Sequence, residues 1–416
     1  MKYSSPRGTL DILPGEIKLW RFLEDTARSV FESYNYAEIR TPIFEQTELF
    51  TRGIGQDTDI VGKEMYTFLD KGDRSLTLRP EETAPVVRAC IENNLFGQNE
   101  LLKLYYIGPM FRYERPQAGR QRQFSQAGVE VFGSSDPIAD VEIIELAVAY
   151  FNEIGLKNLE VDINSVGCGI CRPAYKKELK QYFKESEAEL CENCSKRIET
   201  NPLRILDCKE PGCQPLIKKA PATIDHICDD CRSHYEKVKE YLKRYGIKFK
   251  ENKRLVRGLD YYTKTTFEVI SSSLGAQSAV CGGGRYDNLV EELGGRSVPA
   301  VGFAIGLDRL LMVIKEQKVD IPAGERLKAY IVTLGEEAKK KGFEVLRSLR
   351  NMGIRSDMDF QGKSLNSQLK VANKLNVQFA IIIGEDELKN GIVVIRSMDE
   401  KEQENVAFSE ILRKIR

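Results

Sequence analysis

Apolar residues first recur at helical spacing at Trp20, Leu23, Ala27, Val30, Phe31 and Tyr34. That spacing predicts one amphipathic helix behind a turn-rich opening, Arg7-Gly8-Thr9-Leu10-Asp11-Ile12-Leu13-Pro14. Ala37-Glu38-Ile39-Arg40-Thr41-Pro42 predicts a short strand ended by its proline, which has no N–H to give to a ladder. Residues 103–115 and 124–133 alternate as strands do, and the polar loop 116–122 between them, with Gly119 at its tip, predicts a hairpin. From about Cys168 to Tyr245 the pattern changes to charged helical stretches with paired cysteines, which predicts an inserted helical module. Strand patterning returns at 265–270 and 277–281, and residues 301–311 pass from a strand into a helix.

A linker, Ile321-Pro322-Ala323-Gly324, ends this part. Beyond it, strands are expected at 329–334, 354–358 and 379–383, and helices at 339–352 and 364–375. Such alternation of β with α predicts a separate small α/β domain. The chain is therefore divided into a mixed α+β unit at 1–165 and 250–320, an inserted cysteine-rich helical module at 166–249, and a C-terminal domain at 326–416.

Composition adds constraints. At 416 residues, 42% hydrophobic and 30% charged, the chain falls among globular proteins of two or three domains. Lys+Arg and Asp+Glu are equal at 62 each, so a polyanionic partner would have to be held by local basic patches and not by a global field. The first ten residues carry no apolar core of signal-peptide length, and no long apolar run suggests a membrane span. The expected location is the cytoplasm. In that reducing compartment ten cysteines are tested first against metal binding.

The cysteines fall in close pairs: Cys168 with Cys171, Cys191 with Cys194, Cys208 with Cys213, and Cys228 with Cys231. Two pairs make one tetrahedral thiolate site, so these eight residues are candidate ligands for up to two structural zinc ions. Cys90 and Cys281 have no neighbour in sequence and are expected as core or pocket-wall thiols, and the only histidines, His226 and His234, as surface residues.

Two segments carry other chemistry. Because the strand runs through Phe111-Arg112-Tyr113-Glu114, Arg112 and Glu114 are expected to project together, with the loop arginines of Arg120-Gln121-Arg122 reaching over them. Such a group suits an anion in a cleft, although a charged hairpin standing alone would as readily face solvent. Gly302-Phe303-Ala304-Ile305-Gly306-Leu307-Asp308-Arg309 runs from a glycine-bearing strand into a helix whose arginine can stack on a base or pair with phosphate.

The order of the Pro42 strand, the Arg-x-Glu hairpin, the insertion and the Gly…Arg helix resembles motifs 1, 2 and 3 of class II aminoacyl-tRNA synthetases. Leu255-Val256-Arg257-Gly258-Leu259-Asp260-Tyr261-Tyr262 and Cys281-Gly282-Gly283-Gly284-Arg285-Tyr286-Asp287 are similar to the two signature sequences of histidyl-tRNA synthetases. Arg7-Gly8-Thr9, Leu78-Arg79-Pro80-Glu81 and Ile383-Gly384-Glu385-Asp386-Glu387 extend the resemblance over nearly the whole chain.

The resemblance implies a catalytic domain built on an antiparallel sheet flanked by helices, with a helical insertion and a C-terminal anticodon-binding domain. It implies a homodimer joined around Pro42, and histidine, ATP with Mg²⁺, and tRNA(His) as substrates and partners. It assigns Glu130 and Tyr262, with Tyr261, to the imidazole, and Glu81, Thr83 and Gln126 to the ammonium end of histidine. It makes Arg112 and Arg257 catalytic, on opposite sides of the α-phosphate, with Arg257 also near the amino acid. Arg120 and Arg309 go to the β/γ-phosphates and the adenine face, with Glu114 in the same ATP site.

The chemistry is consistent. In-line attack of a carboxylate on the α-phosphate needs positioned cations, and a pocket built for a ring N–H rejects analogues that leave its groups unpaired. Gln126, Gly128 and Glu130 share one strand face, with the outer two about 13 Å apart at roughly 3.3 Å per residue, enough to bracket one amino acid.

One departure is Glu82, where the family often has Gly or Met. It either adds a carboxylate near the ammonium pocket or points outward. Proton transfer falls to a phosphate, a tyrosine or water, because both histidines lie in the insertion. The alternatives are the synthetase-like regulatory subunit of ATP phosphoribosyltransferase and a tRNA-sensing module. The first lacks a C-terminal α/β domain and usually the Arg-Gly-Leu-Asp-Tyr-Tyr run; the second would bring kinase signatures that are absent here.

Overall fold

The computed structural model describes residues 3–55, 58–97, 101–272, 279–322, 324 and 326–415. Part of the strand expected at 277–281, namely Gln277 and Ser278, lies outside them, as does Ala323 of the linker. The chain divides into two compact units, Met1–Ile321 and Pro322–Arg416.

The first unit opens with α1 (Ile17–Ser33), whose stripe of Trp20, Leu23, Ala27 and Phe31 is buried. The strand β1 (Ala37–Glu38) follows, and then a three-stranded sheet of β2 (Phe44–Gln46), β3 (Tyr66–Leu69) and β4 (Ser75–Leu78), with α2 (Thr47–Gly53) between its first two strands. Next come α3 (Thr83–Glu92), the hairpin of β5 (Leu102–Phe111) and β6 (Gln123–Phe132), α4 (Pro137–Glu153) and β7 (Leu159–Ser165).

The insertion contributes α5 (Arg172–Glu185), α6 (Glu192–Thr200), α7 (Gln214–Lys219) and α8 (Asp229–Arg244). The chain then returns as β8 (Lys250–Glu251), β9 (Thr263–Ser271), β10 (Ala279–Arg285), α9 (Leu289–Glu292), β11 (Ala300–Gly306) and α10 (Leu307–Gln317). Eight strands form one sheet in the order β1-β5-β6-β11-β10-β9-β7-β8. It is antiparallel except at its margins, where β1 joins β5 and β8 joins β7 in parallel.

The helices α1, α4 and α10 cover one face of this sheet. Phe31, Tyr105, Tyr150 and Phe303 meet there in a dry aromatic core. Burial of such large side chains against a sheet is the main driving force for the layer. The other face, across β5, β6, β11 and β10, is left for the cleft described below.

The second unit sets β12 (Ala329–Thr333) between β13 (Ser356–Met358) and β14 (Phe379–Ile383), all parallel, and continues antiparallel through β15 (Ile392–Ser397) and β16 (Gln403–Ala407). The helices α11 (Glu336–Asn351) and α12 (Leu365–Lys374) serve as its crossovers, burying Leu346 and Leu349 in one core and Ala372 in another. Among its cations, Lys340, Lys341 and Arg350 are paired with Glu337, Glu344 and Asp357.

Three expectations need correction. The strand carrying the Arg-x-Glu pair ends at Phe111, so Arg112 and Glu114 lie beyond it and are not related by strand alternation. Arg112 N–H still bonds Arg122, but Glu114 N–H turns back onto the carbonyl of Arg112. His234 is not on the surface: it is 6% exposed, with Nε2 3.2 Å from Asp140. It lies on the face of α8 that also buries Tyr235, Val238 and Leu242 and packs on α4, so amphipathic burial takes the histidine inside with them. His226 is half-buried, stacked on Tyr175 with Nδ1 3.1 Å from the Glu178 carboxylate.

Candidate active site

Residues alternating along β6 put Gln126, Gly128 and Glu130 on the open face of the sheet. Register then selects what surrounds them: Gly128 lies between Tyr106 of β5 and Ala304 of β11, and Glu130 lies between Leu104 and Gly302. Two glycines make the floor possible. A Cβ on Gly128 would run into the Tyr106 hydroxyl, and one on Gly302 into the Glu130 carboxylate. Above this floor a cleft of about 270 Å³ opens to solvent.

All eleven residues singled out for histidine and ATP line this one cleft: Glu81, Thr83, Arg112, Glu114, Arg120, Gln126, Glu130, Arg257, Tyr261, Tyr262 and Arg309. They divide by charge. At the deep end Glu130, 1% exposed, accepts hydrogen bonds from Thr83 Oγ1 at 2.7 Å and from the Tyr286 hydroxyl. Burial pushes its carboxyl up to about 8, against the lowering effect of those two donors. Glu81 accepts the N–H groups of Thr83 and Ala84 at 2.7 and 2.9 Å, capping α3, and burial raises its pKa as well. Gln126 Oε1 is buried with no hydrogen-bond partner, a polar atom aimed at a missing donor.

The other end is cationic. Arg112 donates through Nε to the carbonyl of Pro80 at 2.8 Å and lies over the Phe124 ring. Arg120 pairs with Glu114 at 2.9 Å, and Arg309, on the first turn of α10, donates to Ala279 at 3.1 Å. Burial pulls the Arg309 cation down, and the neighbouring Arg120 adds to this.

Arg257 comes from the loop before β9 and lies flat on β10, where a Cβ on Gly282 would overlap its guanidinium. It pairs with Glu268 of β9, and its Nε has no partner. Burial disfavours the charge, but Glu268 more than reverses this, and the cation is held firmly. Cys281 is buried and lines the cleft, and Cys90 is a core thiol.

Glu82 settles the open question of its direction. It turns away from Glu81, is buried, and takes Arg79 at 2.9 Å and the Thr41 hydroxyl at 2.7 Å. Three further residues were not anticipated as site residues. Tyr286 and Tyr106 surround Glu130, and Glu268 holds Arg257. Tyr286 stood inside the Gly-rich signature, so its presence was a usable signal. Glu268 had none, because only the register of β9 on β10 sets it opposite Gly282.

The paired cysteines assemble as two separate quartets. Cys168, Cys171, Cys228 and Cys231 bring their sulfurs within 4.8 Å of one another, as do Cys191, Cys194, Cys208 and Cys213. Individual Sγ–Sγ separations are 3.7 Å for Cys168 and Cys171, 3.8 Å for Cys168 and Cys228, 4.0 Å for Cys171 and Cys231, and 3.9 Å for Cys191 and Cys208. A tetrahedron with zinc–sulfur bonds of about 2.3 Å has edges of about 3.8 Å, so both quartets fit one mononuclear ion each.

Comparison with known proteins places the whole chain in one family. A sequence profile described as "Histidyl-tRNA synthetase" matches residues 8–310, and one described as "Anticodon binding domain" matches residues 328–416. The chain is 52% identical to a histidine–tRNA ligase of Desulforamulus reducens, over 99% of this chain and 98% of the relative. It is 50% identical to one of Halothermothrix orenii, over 100% and 99%. The crystal structure of apo histidyl-tRNA synthetase from S. aureus superposes with a TM-score of 0.84 at 39% identity, covering 99% of each chain.

Proposed function

The chain belongs to the histidyl-tRNA synthetase family, and from that premise we propose how the residues of its cleft divide the reaction among them. It acts as a histidine–tRNA ligase, activating histidine with ATP to histidyl-adenylate and pyrophosphate and then charging tRNA(His). One observation supports the division of labour above all others: a single cleft is lined both by a buried carboxyl and by a cluster of arginines. Those are complements of an imidazole and a triphosphate.

In this reading Glu130, oriented by Thr83 and Tyr286, receives the ring N–H, with Tyr262 and Tyr261 as the pocket wall. Glu81 and Gln126 receive the ammonium group, together with Thr83. Arg257 and Arg112 approach the α-phosphate from two sides as the histidine carboxylate attacks phosphorus and the bond to pyrophosphate breaks. Cations held in place beforehand stabilise that charge without reorganising. Arg120 and Arg309 hold the rest of the nucleotide, and Mg²⁺ arrives with the triphosphate, for which Glu114 and Glu268 are the carboxylates at hand. No histidine lines the cleft among the described residues, so the proton released in acyl transfer goes to a phosphate oxygen, a tyrosine or water.

The division into a catalytic domain at 1–165 and 250–320, an insertion at 166–249 and an anticodon-binding domain at 326–416 belongs to the same proposal. So does a homodimer around Pro42, supported by the exposed apolar Ile43, Phe44, Phe68 and Leu69 beside it. Zinc is the metal proposed for the two quartets, because four thiolates at tetrahedral spacing are its usual structural site. A cytoplasmic location is proposed with it, supported by ten free cysteines. No helix among the described residues is long and apolar enough to cross a membrane.

The test is ATP–pyrophosphate exchange with each of the twenty amino acids. Only histidine should support exchange, and support by another amino acid would overturn the pocket assignment.

A further inference from the structure

Both cysteine quartets lie in the insertion, yet the residues threaded between and beside their ligands reach out of it to a single target. Arg172 directly follows the ligand Cys171. Its guanidinium donates to the carbonyls of Asp260 at 3.3 Å, of Val166 and Gly167 at 3.4 Å each, and of Tyr262. The other quartet closes the segment between Cys194 and Cys208. From that segment Asn201 donates to both carboxylate oxygens of Asp260 at 3.0 and 2.9 Å, and Arg204 donates to the carbonyl of Arg257 at 3.0 Å. Arg204 is buried, and Arg172 is partly buried. Multiple buried hydrogen bonds from charged donors fix a backbone more firmly than exposed pairs do.

The target is the loop that carries Arg257, Tyr261 and Tyr262. It has no regular secondary structure of its own, and its other anchors among the described residues are the Arg257–Glu268 pair and bonds from Asn164 to the carbonyl of Leu255 at 2.9 Å, from Leu255 N–H to Asn252 at 2.9 Å and from Asp260 N–H to Ile54 at 3.1 Å. Apolar packing is thin around the quartet of Cys168, Cys171, Cys228 and Cys231, whose cluster includes only Ile227 and Ile224 besides the cysteines among the described residues, whereas the second quartet borders a larger core with Tyr175, Leu179 and Phe183. Small modules of this kind commonly need a metal to hold their shape.

We propose that the two thiolate quartets are metal-held clamps on the signature loop: one fixes its Tyr262 end through Arg172, the other its Arg257 end through Arg204 and Asn201. Metal occupancy then sets the position of Arg257, although no cysteine of either quartet touches the substrates. The inference rests on the reading of the quartets as metal sites. Arg172, Asn201 and Arg204 are positioning residues, acting through the loop.

The experiment uses the full-length protein and two separate readouts, metal per chain by mass spectrometry after dialysis and kinetics of ATP–pyrophosphate exchange. The wild type should carry two zinc ions per chain. Asn201→Ala and Arg204→Ala should keep both, yet lose about ten- to a hundred-fold in kcat, the scale expected for an ångström of misplacement, with KM for histidine moving far less. Arg204→Lys should recover part of the loss. Zinc withdrawal by a chelator should lower kcat similarly while circular dichroism shows the catalytic unit folded, and added zinc should restore it.

If Arg204→Ala, Asn201→Ala and Arg172→Ala all retain zinc and wild-type kcat, the clamp is wrong although the metal reading stands. If the wild type carries no metal, the metal reading fails and the clamp as a metal-held device fails with it. In that case the variants still report whether Arg172, Asn201 and Arg204 position the loop.

Discussion

Replacing Glu130 isolates the residue proposed to read the imidazole. Its carboxyl is 1% exposed and lies where Gly302 leaves no Cβ, so truncation to alanine removes an acceptor that water does not replace freely. Loss of a charge-assisted hydrogen bond to the substrate corresponds to about 2–4 kcal/mol. In kcat/KM for histidine that is roughly a thirty- to nine-hundred-fold decrease. Thr83 and Tyr286 would also be left as buried donors without their acceptor, so some loss of stability should accompany Glu130→Ala. Glu130→Gln preserves volume but turns an N–H₂ towards one of those hydroxyls, and should fall between the two. KM for ATP should move much less, because the arginine cluster is untouched.

Proton linkage gives an independent check. With its carboxyl raised to about 8, Glu130 is largely neutral at pH 7 in the free protein, and a bound ring N–H favours the ionised form. Histidine affinity should therefore rise with pH up to about 8, with proton release visible by calorimetry in buffers of different ionisation enthalpy. The sign for folding is opposite to that of a paired carboxylate. Stability from this group is fully present below the ordinary carboxylate pKa and is lost as pH rises towards 8. Near-normal histidine activation by Glu130→Ala, or affinity independent of pH over that range, would refute the assignment.

Arg257→Ala should lower kcat more than it raises KM for ATP, with partial rescue by Arg257→Lys, since the cation meets charge that develops in the transition state; equal effects on both constants would indicate simple anchoring. Asp140, buried against Arg285 and His234, is held down at about 2 by Arg285 despite its burial. Its contribution, on the order of 2 kcal/mol, is present above about pH 4 and lost as pH falls through about 2. Asp140→Asn should destabilise the protein at pH 7 by less than the roughly 3–5 kcal/mol of a wholly broken buried pair, because Asp287 still faces Arg285 at 3.1 Å, and should flatten denaturation curves between pH 4 and 2, whereas an unchanged acid profile would dismiss the pair. A chain ending at Ile321 should keep some pyrophosphate exchange but lose most tRNA charging, measured as aminoacylation; undiminished charging would contradict the anticodon-binding role of the second unit.

What the sequence made legible was local. Trp20, Leu23, Ala27 and Phe31 declared α1 because a helix buries every third or fourth residue, and the β–α alternation after Gly324 declared the crossovers of the second unit. Contiguous signatures identified the pocket residues by resemblance. What depended on register was hidden: that Glu268 meets Gly282, and so holds Arg257, follows from the pairing of β9 with β10 and not from any spacing. The surface reading also missed His234, since an imidazole reads as polar until Asp140 supplies its partner from elsewhere in the fold. The spacing of the cysteine pairs pointed to four-thiolate clusters, but which pair joins which was fixed only when α5 and α8 brought Cys168 and Cys171 to Cys228 and Cys231.

The departure at Glu82 shows how neighbouring carboxylates acquire unrelated tasks. Glu81 faces the cleft and caps α3, whereas Glu82 faces the opposite way, into Arg79 and Thr41. Burial raises the Glu82 carboxyl to about 8 even with Arg79 beside it, and its second oxygen has no partner, so the arrangement is costly when ionised. Its physical effect is to tie the backbone before Pro42 to the turn that starts α3: Arg79 also donates to the carbonyls of Thr41 and Pro109 at 3.1 and 2.9 Å. The segment proposed as the dimer contact, the end of β5 that leads to Arg112, and the helix start that presents Glu81 and Thr83 therefore share one buried guanidinium. Buried against Arg79 and Thr41, the carboxylate at position 82 is a structural partner of that guanidinium and adds no charge to the cleft.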